Sequence, residues 1–324
     1  MPNARGNEAK LLSRRQAAFG TAESASDGLF HALPFYSYNV VPSGELANDD
    51  ANYGDAFPGE VVAGLRNLSG GMEVPMGLNS LGWHLAMLLG LPTTSGTTDY
   101  THVFTAAAQP TPLLATHGIS HVGVSQHFTQ DSLAMTGMEI QAAKNGQRQR
   151  VTFNLAGREE VKAGATLDST PVAFDPDPVP VGFQGGLQID GTAAAAVTQA
   201  SLTLNTGVAA DQETLNGEAT AAAMDPGFWD LSGALTARFR DAALYDLANN
   251  GTALALTLKW TISATYDLEI AVPSVQLERT GVPVDGRDII SSSYNWRTNR
   301  PASGAELITV TLKNATADYA NPVV

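Results

Sequence analysis

Two stretches of this sequence make the same change of period. Leu68 to Gly90 reads LSGGMEVPMGLNSLGWHLAMLLG, and Leu231 to Gly251 reads LSGALTARFRDAALYDLANNG. Both open on Leu-Ser-Gly and place apolar residues at alternate positions: Met72, Val74 and Met76 in one, Leu235, Ala237 and Phe239 in the other. A period of two is the mark of a half-buried strand. Both then change to helical spacing, through Leu78, Leu81, Leu85 and Leu88 or through Leu244, Leu247 and Ala248. Both stop at a glycine, Gly90 or Gly251, which a helix C-terminus favours because glycine tolerates a left-handed backbone. A strand running into a short helix, twice in one chain, predicts an internal duplication.

The order of the remaining elements fits two tandem units. Residues 1–34 are expected to form an N-terminal arm, with a short helix between Lys10 and Phe19 broken by Gly6, Gly20 and Gly28. The first unit spans 35–163. It opens on the strand Phe35 to Val41 and continues through an acidic loop, Glu45 to Glu60, to the strand-helix stretch and Asp99 to Thr105. Further strands are expected at 118–128 and 134–142, and Asn145-Gly146 marks a hairpin into Val151, Phe153 and Leu155. A Pro-rich linker, 164–186, follows; prolines 171, 176, 178 and 180 argue against a central strand there. The second unit, 187–324, predicts strands at 187–189, 200–205, 253–262, 266–278, 289–296 and 306–314, with an acidic loop from Asp211 to Asp225. Val151 to Leu155 and Ile308 to Leu312 are expected to fill corresponding places. The fold class is all-β, a β-sandwich or barrel with one short helix per domain.

Composition narrows the chemistry. With 324 residues the chain can hold two domains, and without cysteine it has neither disulfides nor thiolate metal sites. The first twenty residues lack the apolar core of a signal peptide, and the longest apolar run, 85–91, is too short to span a membrane. The chain is therefore expected to fold in a cytoplasm, and the sequons at Asn67, Asn250 and Asn314 read as chance. A net charge of −14 opposes direct phosphate binding. The charge is also segregated: Arg66 is the sole basic residue between Tyr36 and Ala143, and none occurs from Ala163 to Ala237. That pattern fits either a solvated acidic surface or separate acidic and basic contact faces.

No enzyme motif is present. A nucleophile elbow, a phosphate-binding glycine loop and a zinc signature are all missing. His117, His121 and His127 share strand parity, but His117 and His121 would lie roughly 13 Å apart at about 3.3 Å per residue, too far to share a metal ion. His84 reads as a core-edge residue with a satisfied nitrogen. Asp175 and Asp177 read as a solvated loop, and Trp229, Trp260 and Trp296 as core or interface anchors. Catalytic residues, cofactors and metals are expected to be none.

Taken in order, several motifs resemble the tail tube (major tail) proteins of long-tailed, non-contractile bacteriophages. They are Ala4-Arg-Gly6 with Phe19-Gly-Thr21, the passage closing on Leu88-Leu-Gly90, and Asp99-Tyr-Thr-His-Val-Phe104. In the second half they are Ser201 to Asn205, Leu231-Ser-Gly233, Ile270 to Pro273 and Ile308 to Asn314. The resemblance implies a structural virion protein of the tail, assembled in the bacterial host, which polymerises as stacked rings around a channel for DNA. Two tube domains per chain imply a trimeric ring with pseudo-sixfold symmetry; one domain would imply a hexamer. Implied partners are further copies of itself, the tail terminator and tail tip proteins, and a tape measure protein in the lumen. DNA transits without specific binding, and no membrane is involved. An acidic bore would keep DNA off the wall. Glu73, Asp131, Glu139 and Glu269 are the lumen-facing candidates, and Arg5, Lys10, Arg14, Arg15, Lys144, Arg148 and Arg150 the candidates for ring contacts. Removing residues 1–20 is expected to leave folded subunits but impair stacking. Alternative readings are another ring-forming tail component, such as a terminator or baseplate ring, and a β-sandwich adhesin that binds carbohydrate.

Overall fold

A computed structural model describes residues 3–106, 111–194, 196–284, 286–300 and 305–320. In chain order the first half holds β1 (Ala9–Arg15), β2 (His31–Leu33), β3 (Ser37–Tyr38), β4 (Val41–Asn48), β5 (Val61–Pro75), helix α1 (Leu81–Leu89), β6 (Thr93–Ser95), β7 (Tyr100–Thr105), β8 (Ala115–His121), β9 (Gln126–Ala143), β10 (Arg150–Gly157), β11 (Glu159–Ala163) and β12 (Val172–Ala173). The second half holds β13 (Gly185–Ile189), β14 (Thr192–Ala193), β15 (Val197–Asn205), β16 (Ala209–Ala210), β17 (Met224–Asp225), β18 (Asp230–Arg238), helix α2 (Ala243–Asn250), β19 (Leu254–Thr261), β20 (Asp267–Leu277), β21 (Ser291–Thr298) and β22 (Thr309–Asn314). The chain is all-β with two short helices.

The main sheet runs β5–β10–β9–β15–β18–β21–β20–β19–β13, antiparallel throughout, with β3 and β4 on the far side of β5. From the first part of β20 it branches through β22 to β7 and β6. A second sheet runs β12–β2–β1–β8–β9–β11. The 18-residue strand β9 belongs to both, its first part to the second sheet and its last part to the main one. The strands expected at 118–128 and 134–142 are thus β8 and this single long strand. Alternation is clean in β10, where Val151, Phe153 and Leu155 are buried while Arg150, Thr152 and Asn154 face out. One core cluster draws on both halves, from Met72 and Phe153 to Leu235 and Ile270.

Where a helix is expected over Lys10 to Phe19, the chain forms strand β1 as far as Arg15 and then turns. Leu11 and Leu12 point to opposite faces of β1 and both are buried, so the strand is covered on both sides. Two such leucines contribute about 1.5–3 kcal/mol each on burial. Helix α1 is also not half-exposed: every residue from Leu81 to Leu89 is buried, as a helix apolar on all sides must be. Helix α2 buries only Ala248 and ends on Gly251 at φ 61°. The acidic loop is shorter than its composition suggests, since Glu45 to Asn48 complete β4. Val151 to Leu155 and Ile308 to Leu312 do not occupy matching places. β10 lies beside β5, whereas β22 lies beside β20 and β7, and it is β21 that lies beside β18.

Two polar residues depart from expectation for one reason, the depth of α1. Asp177 is not a solvated loop residue. Its carboxylate accepts the Asn79 and Ser80 N–H groups at 2.9 and 3.1 Å and the Ser80 hydroxyl at 2.6 Å, which satisfies amides at the helix start. Burial outweighs those bonds and raises its pKa. The Pro-rich passage is therefore packed against the first half. His84 has no satisfied nitrogen: it is buried, stacked on Phe153, and neither ring nitrogen has a hydrogen-bond partner. The end of the chain closes the same region, with Asn314 Nδ2 donating to the Leu78 carbonyl and the Tyr319 hydroxyl donating to the Asn79 carbonyl.

Candidate assembly site

The main sheet has two unlike faces. One is core. The other carries a register row of polar residues that crosses eight strands: Ser37, Glu73, Thr152, Glu139, Thr203, Ser232, Arg297 and Gln276, each opposite the next. Small hydroxyl and amide side chains dominate its surroundings, with Asn154, Gln141, Ser201, Thr236, Ser293 and Asn295 beside the row. A broad antiparallel sheet with one apolar and one polar face is the pattern of a wall between core and water.

The halves join within this sheet through β9 and β15, whose pairing runs from Gly137↔Asn205 to Ala143↔Gln199. Around the junction the two halves show like strand neighbours. In the first, β5 pairs β10, β10 pairs β9, and β9 also pairs β8 and β11; in the second, β18 pairs β21, β21 pairs β20, and β20 also pairs β19 and β22. The two Leu-Ser-Gly starts acquire a common physical reason. A Cβ on Gly70 would collide with the Asn39 carbonyl in the link between β3 and β4, and one on Gly233 with the Ser201 carbonyl of β15, because neighbouring backbone passes close to each.

Among the described residues no strand lies on the outer side of β3 and β4 at one end, or of β20 beyond Val275, where its pairing with β19 stops, at the other. At the other end the last ladder bond runs from the Glu278 N–H to the Asn295 carbonyl at 2.7 Å, and residues 279–284 form no strand. The stretch in the same position of the first half, the end of β9, is the one held by β15.

The expected site residues divide. Glu73 and Glu139 lie in the polar row, Glu73 bonded by Arg150 at 3.0 Å. Asp131 is buried and bonded to Arg158 at 2.9 Å, outside the row. Glu269 pairs Lys259 at 3.1 Å on the part of β20 beside β22. The carboxylates exposed on the polar face are thus few, and Arg150, Arg238 and Arg297 share it with them. Of the basic candidates, Arg5, Lys10, Lys144 and Arg148 are exposed, and Arg14 bonds Glu23 at 3.5 Å while Arg15 is half-buried in β1. Arg150 also covers the Tyr36 ring at 3.9 Å.

Among the described residues no group of three or more His, Cys, Asp or Glu could hold an ion. His117 is buried and bonded to the Tyr38 hydroxyl at 2.9 Å, which in turn donates to Gln130. Desolvation lowers His117 and His84 to about 3 and His31 to about 4. Trp260 and Trp296 are core and Trp229 is half-buried against it. No helix among the described residues is long and apolar enough to cross a membrane. Sequence reasoning missed the open edges, since an unpaired edge has no residue signature of its own. The signal available was the junction: alternation in β9 continues past its pairing with β10.

A search of curated proteins finds no significant match. A family model described as phage tail tube protein matches residues 6–298, nearly the whole chain, and the protein belongs to that family.

Proposed function

We propose that copies of this chain close into a ring by repeating, between chains, the strand pairing that β9 and β15 make within one. The family makes the chain a structural component of the virion tail that self-assembles into a tube with other tail proteins. The observation that carries the finer reading is the internal junction together with the two open edges it leaves. If the halves repeat one unit, residues 279–284 stand where the end of β9 stands, and the β3–β4 edge stands where β15 stands. Transferring the β9–β15 register sets Val41 of one copy opposite Thr280 of the next. Pairing both edges removes the exposed ladder that an isolated sheet presents.

Each chain then supplies two positions, so three copies complete a pseudo-sixfold ring; a hexamer of single units is the competing count. The hydroxyl-rich face lines the channel, and rings stack through the basic segments around Lys10, Lys144 and Arg148. In this reading DNA slides past a wall of mainly hydroxyl and amide side chains, on which Glu139 repels it locally and Arg150, Arg238 and Arg297 stand on separate strands rather than gathered into one phosphate site. Terminator, tip and tape measure proteins are the remaining partners.

The chain has no cysteine, so a V41C/T280C variant tests the junction cleanly. Under oxidation the reading expects disulfide-linked dimers and closed trimers, with neither single variant forming them. Monomer alone, at concentrations where tubes are visible by negative stain, would refute the junction. A ladder extending to six would replace the trimer.

A further inference from the structure

Between β15 and β18 the chain leaves the main sheet and folds back over the first half. Thr206 anchors the turn, its N–H donating to the Thr136 carbonyl at 2.9 Å. Farther along, the Arg66 N–H donates to the Ala219 carbonyl at 2.7 Å and Gln212 Nε2 donates to the Arg66 carbonyl at 3.1 Å. Glu218 meets the Arg158 guanidinium at 3.3 Å, and Thr220 and Ala221 become buried. Inside the chain, then, one hairpin extension covers the outer end of the neighbouring unit, and part of the contact is a carboxylate on an arginine.

The hairpin in the corresponding place of the first half is β4–β5, and the side-chain and backbone bonds of its tip, among the described residues, stay within the tip. Leu46 and Phe57 are 76% and 80% exposed, and Tyr53, Val61 and Val62 are exposed beside them. Apolar side chains in such number on a projecting element mark a contact surface. The second half carries the matching uncovered surface. Counted from the Leu-Ser-Gly starts, Trp229 stands where Arg66 stands, and the end of β21 stands where Arg158 stands. Phe228 there is 96% exposed, and the Trp229 indole nitrogen is buried without a partner. Arg279, Arg297 and Arg300 are exposed and join none of the ion pairs among the described residues, whereas Arg66, Arg150 and Arg158 each meet a carboxylate.

We propose that the β4–β5 hairpin tip of one copy lies across the Phe228–Trp229 and Arg297–Arg300 surface of the adjacent copy in the same ring. The proposal rests on the edge pairing of the previous section. That register ends with Ser43 opposite Glu278, whose N–H donates to the Asn295 carbonyl two residues before Arg297, and the hairpin continues past it. Tyr53 and Phe57 then cover the exposed Phe228, and Asp49, Asp50, Asp55 and Glu60 face the unpaired arginines, as Glu218 faces Arg158.

Three measurements decide it. In the V41C/T280C background, which reports ring closure on its own, R297E/R300E is expected to lower the yield of closed rings about tenfold at physiological salt, the scale set by opposed like charges. Adding D49K/D55K on the same chain is expected to restore most of it. Separately, D55C/R300C in the otherwise cysteine-free chain is expected to cross-link between copies in isolated rings with a short bismaleimide. Full closure by R297E/R300E together with no D55C/R300C cross-link would overturn the hairpin contact and leave the ring reading standing. A D55C/R300C cross-link found only in stacked tubes would assign the tip to the next ring and overturn the proposal equally. Absence of the V41C/T280C cross-link in the unreversed chain counts instead against the ring reading.

Discussion

Replacing His84 with leucine is expected to make the subunit less sensitive to acid without weakening it at neutral pH. The ring lies within α1, 1% exposed and stacked on Phe153 at 5.0 Å between centroids. Desolvation, with a smaller repulsion from His117, lowers its pKa from 6.5 to about 3. In the unfolded chain the imidazole takes up a proton as pH falls below its ordinary value, whereas the folded protein refuses that proton until much lower pH. The unfolded state therefore binds more protons in this window, and folded stability falls with falling pH. The neutral ring costs nothing in this way above pH 6.5, and the loss grows from there down to about pH 3. One pKa unit is about 1.4 kcal/mol, so at pH 5 the loss from His84 alone is roughly 2 kcal/mol. At pH 7 the exchange removes two buried nitrogens that lack partners and inserts a side chain of similar size, which is neutral or mildly stabilising. Urea melts of the purified subunit at pH 7 and pH 5 give the answer. His84→Leu should hold its midpoint at pH 7 and retain about 2 kcal/mol more than the parent at pH 5. Equal losses in both proteins between the two pH values would show that His84 is protonated in the fold, and the argument from its burial would fail.

Other consequences follow from the packing. Leu12→Ala is expected to cost about 2–5 kcal/mol by urea unfolding, since the side chain is buried in β1 between β2 and β8. Removal of residues 1–20 should for the same reason abolish the cooperative melt rather than leave folded subunits. Asp177→Ala should lower the thermal midpoint through loss of about 1–2 kcal/mol, because the Asn79 and Ser80 amides at the start of α1 lose their acceptor. Gly233→Ala should cost about 1–3 kcal/mol by the same measurement, as the new methyl meets the Ser201 carbonyl and the Trp296 ring. A Gly233→Ala protein that melts with the parent would show that β15 can move away from β18.

Period and turn chemistry determined a large share of this protein. The alternation of Val151, Phe153 and Leu155 and the two glycine helix stops are local signals, and each appears in the fold where the residues put it, whereas Asn145-Gly146 lies in a wider β9–β10 connection because the end of β9 turns aside to pair β15. The all-β class and the tail tube family were legible for that reason. The tertiary structure decided what local signals cannot carry. Leu11 and Leu12 are adjacent, so neither period identifies β1; only cover on both faces makes it a strand. His84 and Asp177 were misread because solvation depends on how deep α1 sits, which is a property of the sheets around it. Charge was the least legible feature. Four carboxylates of similar sequence context divide between an open polar row, a buried ion pair and a Lys259 contact, because strand register alone assigns each to a face. Register also left the edges of β3–β4 and residues 279–284 without a strand partner among the described residues. An edge is defined by the strand missing beside it, and no residue in a sequence encodes that absence.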